Sequence, residues 1–132
     1  MIQIQHVIYQ IMLAHVQADY PLEACGFLAG QDRCISHIYA IENILHSPTA
    51  FEMHAGQQIQ AMLDIEAQGL EMLAVYHSHP AGSERPSETD IAKAYYPELV
   101  QLIISLVDRS NPTVRAFSIA NKHVEEVKLL LE

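Results

Sequence analysis

Two short, almost unbroken apolar runs constrain this chain more than anything else in it. Residues 71–76 (EMLAVY) lead straight into His77-Ser78-His79-Pro80, and residues 99–107 read LVQLIISLV. Runs of this length without a polar alternate are strands covered on both faces. A sheet with such strands at its centre needs layers on either side, and the rest of the chain has to supply them.

The remaining patterns provide those layers. Ile4, Val7, Ile8 and Ile11 recur at helical spacing, which predicts an amphipathic helix over about 4–18, ended by Tyr20-Pro21. Residues 25–30 (CGFLAG) and 33–41 (RCISHIYAI) read as two strands around a turn. A polar stretch, 43–50, carries Pro48 and is followed by a short extended piece at 51–53. Ile59, Met62, Leu63, Ala67 and Leu70 mark a second helix, about 55–69, closed by Gly69. After a Gly-, Ser- and Pro-rich loop at 81–86, Ser87-Glu88-Thr89-Asp90 opens a third helix to about Tyr96, where Pro97 stops it. Residues 113–120 and 124–131 form a final hairpin turning at Asn121-Lys122, or a strand and a short helix. With no repeats, low-complexity tracts or linkers, the expectation is one domain over 1–132. Its class is α/β, in the α+β layered sense, with one mixed β-sheet flanked by helices.

Composition narrows the function classes. Half the residues are hydrophobic and 17% are charged, which argues against disorder. No apolar run reaches the roughly 18 to 20 residues that span a bilayer, and the start, MIQIQHVIYQ, lacks the pattern of a signal peptide. A cytoplasmic protein is expected. The net charge is −9, and the seven basic residues are scattered. No basic stripe serves nucleic acid or anionic lipid. An acidic surface suits a basic protein partner, but it is also ordinary in soluble proteins. Cys25 and Cys34 flank Gly30-Gln31-Asp32. If Gln31-Asp32 is the hairpin loop, Cys34 sits opposite Ala29 and Cys25 lies beyond the roughly 7 Å reach of a disulfide. Two reduced thiols are expected, and no CxxC pair offers a structural zinc site.

The chemistry gathers around the first apolar run. His77 and His79 stand two apart on a strand, so both rings leave the same face. With 8 His in 132 residues, an HxH pair arises by chance about 0.5 times per chain. Ser87 and Asp90 at fixed positions downstream lower that chance to about one in a thousand. Ser87 falls at a helix N-cap and Asp90 at the third helical position, and as an isolated pair they would be a plain cap. Beside the histidines, the helix start can aim the Asp90 carboxylate at the same ion. Two His, one Asp and an open fourth position make a catalytic rather than a structural zinc pattern.

His77-x-His79-Pro80, the seven residues from Pro80 through Pro86, and Ser87-x-x-Asp90 together resemble the motif of the JAMM (MPN-plus) metallopeptidases. The likeness extends to Glu23 within Pro21-Leu22-Glu23-Ala24-Cys25-Gly26-Phe27-Leu28-Ala29-Gly30. It also takes in Ser47-Pro48-Thr49, Phe51-Glu52-Met53, Thr89-Asp90-Ile91, Tyr95-Tyr96-Pro97 and Ile103-Ile104-Ser105-Leu106. The resemblance covers about residues 1–130 and implies the JAMM/MPN, cytidine-deaminase-like fold.

The resemblance further implies that His77, His79 and Asp90 hold one Zn2+ per chain with water in the fourth position. Glu23 would be the general base that takes the water's proton, and the Ser87 hydroxyl would help to stabilise the oxyanion. Glu23 would then pass its proton to the leaving amine. Residue chemistry alone gives no reason to single out Glu23 among eleven glutamates. The chain has almost no room for the insertions that grip a second ubiquitin in eukaryotic relatives. It more closely resembles the small prokaryotic members linked to ubiquitin-like sulfur-carrier proteins. The implied reaction is hydrolysis after the carrier's C-terminal Gly-Gly, freeing it from an extension or from a lysine.

Two alternatives stay open at this point: a non-catalytic MPN scaffold, and a zinc hydrolase of a small amide. A cytidine-type deaminase would need H-x-E and P-C-x-x-C, and a zincin H-E-x-x-H; none of these occurs. Cys25 reads as a small buried hydrophobe rather than a nucleophile. His54 stands before the second helix, where similar sequences often carry an acid. His6, His15, His37, His46 and His123 read as surface or half-buried residues, and Met53, Met62 and Met72 as core fillers.

Overall fold

The computed structural model describes residues 1–132. The two apolar runs lie side by side at the middle of the molecule. Strand β4 (Glu71–His79) pairs in parallel with β5 (Val100–Ser105), and His77 stands opposite Ile103. On its other edge β4 meets β2 (Cys25–Gln31) in antiparallel register, with Cys25 opposite His77. Strand β2 turns back into β3 (Cys34–Ile41), while β5 continues antiparallel to β6 (Thr113–Ala120), which turns into β7 (His123–Val127). The final hairpin is therefore the first of the two forms expected, turning through Asn121 and Lys122, both at positive φ.

One strand escapes the sequence patterns, and the expected second arm of the final hairpin, 124–131, is split in two at Lys128. β1 (Ile2–Ile4) and β8 (Leu129–Leu131) pair in parallel with each other, and β1 also pairs in parallel with β3. The order across the mixed eight-stranded sheet is β7-β6-β5-β4-β2-β3-β1-β8. β7 and β8 stand at opposite edges, yet only Lys128 separates them in sequence. Two residues of chain span about 7 Å at most, so the sheet curls until its edges meet.

The concave face of this curl is filled by helix α1 (His6–Asp19), whose Ile8, Met12 and Val16 pack on Ile2, Ile4, Leu28, Ile35, Tyr76 and Leu102. This corrects the expected helix: Ile4 belongs to β1, and Val7 and Ile11 of the proposed stripe are exposed. Helix α2 (Ala55–Ala67) covers the opposite face through Ala61 and Ile65, beside Cys25, Phe27, Ile41, Met53 and Val75. Its Ile59, Met62 and Leu63 are exposed, so Met62 is not a core filler. Gly69, at φ +69°, closes α2: its own N–H bonds Glu66 O and the Leu70 N–H bonds Ile65 O. Helix α3 (Glu88–Ala92) is shorter than expected; Ile91, with Ala94 beyond the helix, packs on Ile103, Phe117 and Ile119.

The first hairpin turns one residue later than expected. Asp32 and Arg33 take positive φ, and Cys34 pairs with Gln31 rather than Ala29. Both cysteines are free thiols. No helix is long and apolar enough to cross a membrane.

Candidate metal centre

Residues on β4 alternate between the two faces. Tyr76 enters the α1 core, where its hydroxyl meets His15 Nδ1 at 2.7 Å; Val75, His77 and His79 face the other way. His77 and His79 are buried, with their Nε2 atoms 3.1 Å apart. Asp90 Oδ2 lies 3.2 Å from His77 Nε2 and 2.9 Å from His79 Nε2. The sheet thus brings two imidazoles to one point, and α3 brings a carboxylate to the same point.

His79 and Asp90 are braced by hydrogen bonds, whereas the His77 Nδ1 is buried without a partner and its ring is held by packing alone. The His79 Nδ1–H donates to Ser83 O at 2.7 Å, leaving Nε2 as a lone-pair donor. The loop holding Ser83 is fixed in turn, because Ser105 Oγ donates to Gly82 O at 2.7 Å. The His77 ring stacks on Phe51, with centroids 4.7 Å apart. Asp90 is held by Ser87, whose Oγ accepts the Asp90 N–H at 3.0 Å while Asp90 Oδ2 accepts the Ser87 N–H at 2.9 Å. Ser87 itself is exposed.

The donor set fits a metal ion. Three electron-pair donors, two nitrogens and one oxygen, converge within 3.2 Å of one another. A tetrahedral ion with bonds of about 2.0–2.1 Å holds its donors about 3.3 Å apart, so a small shift admits one. His77, His79 and Asp90 form the one group of three metal-ligating side chains in the chain.

Glu23 reaches the same site through the sheet. Ser78 N–H donates to Ala24 O at 3.0 Å, and the Ala24 N–H donates to Ser78 Oγ at 2.9 Å. These bonds extend the β2–β4 pairing one residue past Cys25 and His77. The register therefore sets Glu23 against His79, on the face shared with Cys25 and His77. Glu23 is 4% exposed, and its Oε1 is buried without a hydrogen-bond partner.

This crowding sets the protonation states. Burial raises the Glu23 pKa to about 7, with His79 lowering it and Asp90 adding to the rise. Burial also lowers His77 below the ordinary imidazole value, against the pull of Asp90. For His79, burial favours the neutral ring, but Asp90, the Ser83 carbonyl and Glu23 outweigh it and the pKa rises. Asp90 is desolvated too, yet the two imidazoles and the Ser87 N–H hold its carboxyl well below the usual range. The Cys25 thiol is pushed up to about 12 by burial, and its Sγ donates to Ile41 O at 3.4 Å, so it is no nucleophile.

An open cleft of about 250 Å3 runs from His77 and Asp90 past Phe51, Met53, Phe27 and Val75, and Tyr95 and Tyr96 stand at its rim. Two residues at the site carry no role in the sequence reading. One is Phe51, which stacks on His77; the other is Asn43, which is buried and bonds the Glu23 carbonyl at 3.0 Å. Neither has a local spacing that would mark it. His54 does no more than cap α2, its Nδ1 accepting the Gln57 N–H at 3.1 Å. The other histidines are exposed or half-buried.

A family described as prokaryotic homologs of the JAB domain matches residues 6–120. The CysO-cysteine peptidase of Mycobacterium tuberculosis is 34% identical over 118 residues, covering 87% of this chain and 80% of the relative. A desampylase of Pyrococcus furiosus is 29% identical over 129 residues, covering 97% and 88%. Among solved structures, a Desulfitobacterium hafniense protein superposes with a TM-score of 0.91 at 37% identity, covering 100% of this chain and 93% of that one. A JAB1/MPN domain protein from Archaeoglobus fulgidus shares the fold, with a TM-score of 0.64 at 18% identity over 100% of this chain and 97% of that one.

Proposed function

This chain belongs to the family of prokaryotic homologues of the JAB domain, and from that premise we propose that it is a zinc-dependent peptidase acting after the C-terminal Gly-Gly of a ubiquitin-like sulfur-carrier protein. The observation that carries the reading is the convergence of His77, His79 and Asp90 beside a buried Glu23, at the end of an open cleft. The peptidase names of its relatives support the reaction class.

His77, His79 and Asp90 would hold one Zn2+ per chain. When bound, the ion supplies Lewis acidity, polarising the scissile carbonyl and acidifying a water. Glu23 takes a proton from the attacking water as the O–C bond forms. It delivers that proton to the leaving nitrogen as the C–N bond breaks, so one carboxylate serves as base and then as acid. Its burial suits both tasks, because desolvation favours the protonated carboxyl and so raises the basicity of the carboxylate. The Ser87 Oγ accepts from Asp90 N–H, which leaves its own hydrogen for the developing oxyanion. Phe27, Phe51, Met53 and Val75 form the apolar wall of the cleft beside His77 and Asp90. An extended tail ending in two glycines would lie along this cleft with its second carbonyl at His77 and Asp90.

The test is intact-mass analysis of a diglycine-ended carrier bearing either a short peptide extension or an isopeptide-linked lysine. Release after the second glycine is expected, and the better substrate assigns the bond. No release from either would refute the carrier reading.

A further inference from the structure

The Glu23 carboxylate is not held by any group that bonds it: its Oε1 is buried without a partner. Its place depends on the main chain. On one side that chain is fixed by the Ala24–Ser78 bonds to β4. On the other side it is fixed by residues 43–53, a segment with little regular structure of its own. The Glu23 N–H donates to Ser47 O at 2.9 Å, and Asn43 Nδ2 donates to the Glu23 carbonyl at 3.0 Å.

Backbone bonds from Ile44 N–H to Glu52 O and from His54 N–H to Glu42 O close the ends of that segment, and the Asn43 side chain ties its interior together. Its Nδ2 also donates to Ala50 O at 3.0 Å, while its Oδ1 accepts the Leu45 N–H and the Glu52 N–H, both at 3.1 Å. A side-chain amide has two N–H donors and an oxygen with two lone pairs, and this one uses all four. The residue is 6% exposed, so water cannot replace any lost bond cheaply. No other side chain of this length offers two donors and two acceptors. The backbone of Phe51, which stacks on His77, lies between two of the bonded residues, Ala50 and Glu52.

We propose that Asn43 is a positioning residue: its amide locks the 43–53 segment to the Glu23 backbone, and so sets the Glu23 carboxylate against the metal-ligating face and Phe51 against His77. The inference rests on the peptidase reading for its catalytic consequence, but not for its structural one. Asn43 touches neither the metal ligands nor the cleft, and it acts through Glu23. A misplacement of about 1 Å in such a group costs about 100-fold in rate.

The test compares wild type with Asn43→Asp, which keeps both accepting bonds and loses both donated ones, and with Asn43→Ala, which loses all four. Amide hydrogen exchange is read residue by residue in the zinc-loaded proteins, together with zinc content and turnover of the diglycine-extended carrier. In both variants the Glu23 amide is expected to exchange at least tenfold faster. Ser78 and Ile103 should be unchanged, zinc should stay at one per chain, and kcat should fall about 10- to 100-fold. An unchanged Glu23 amide, or faster exchange with wild-type kcat, would overturn the proposal, as would parallel loss of zinc. If wild type itself does not cleave, the peptidase reading has failed, and the exchange data alone decide whether Asn43 holds Glu23.

Discussion

Ser87 and Asp90 are tied to each other twice: Ser87 Oγ accepts the Asp90 N–H at 3.0 Å, and Asp90 Oδ2 accepts the Ser87 N–H at 2.9 Å. The same Oδ2 faces both imidazoles, so the helix cap and the metal centre share an atom. A five-residue helix has little else to fix its start, apart from Ile91 packing on β5 and β6.

Ser87→Ala removes the cap and the free hydroxyl together. The lost cap costs about 1 kcal/mol of stability, read by urea denaturation. The lost oxyanion donor lowers kcat by about 100-fold or more. Ser87→Thr, which keeps a hydroxyl, should recover most of the stability and part of the rate. Equal turnover in Ser87→Ala and wild type would remove Ser87 from the reaction.

Glu23→Gln separates chemistry from stability. Turnover should drop about 100- to 10,000-fold, the usual worth of a general acid–base group. Stability of chelator-stripped protein should move the other way. The folded pKa of about 7 lies above the ordinary 4.5, so burial of the neutral acid favours the folded state below pH 4.5. That contribution is lost as pH rises through 7. Wild type should therefore weaken relative to Glu23→Gln between pH 4.5 and 7, by on the order of 3 kcal/mol. Parallel stability profiles would show that Glu23 ionises normally.

Zinc uptake by the stripped protein competes with a proton on His79, whose pKa is raised mainly by Asp90 against the effect of its burial. His77, kept neutral by burial, offers no such competition. Zinc affinity should decline with falling pH from a point above the ordinary histidine value of 6.5. Competitive titration at several pH values measures this. A decline that begins only well below pH 6.5 would contradict the assignment.

Gly26→Ala tests the sheet that carries the ligands. Gly26 neighbours the Cys25–His77 pair, and a Cβ there would lie 2.5 Å from the Tyr76 ring and would meet the Tyr39 carbonyl. Both neighbours belong to adjoining strands, so neither yields without moving the sheet. Destabilisation of about 1–3 kcal/mol is expected, read from the denaturation midpoint.

What the sequence reveals and what it hides follows from range. His77, His79, Ser87 and Asp90 are legible because strand alternation and helix capping are local rules. The same holds for the two central strands, whose apolar runs need no partner to be recognised. β1 and β8 are three residues each, and their pairing joins opposite ends of the chain. Nothing within IQI or LLL announces it. The face of α1 is misread because Val7 and Ile11 offer an apolar stripe as good as Ile8, Met12 and Val16; only the curled sheet chooses between them. Gly30 suggests an early turn, but its lack of a side chain serves the close passage of the Cys34 carbonyl instead. Glu23 and Asn43 are invisible to spacing arguments, because each gains its meaning from a segment distant in sequence.

The central claim is that one ion on His77, His79 and Asp90, working with Glu23, cleaves after a diglycine. Its most direct test is turnover of a diglycine-extended carrier protein, followed by intact mass as stripped enzyme is titrated with zinc. The account predicts activity rising in proportion to added zinc up to one equivalent per chain, and lost in Glu23→Ala at full zinc occupancy. Wild type holding one zinc without releasing the extension, or release undiminished in Glu23→Ala, would contradict it.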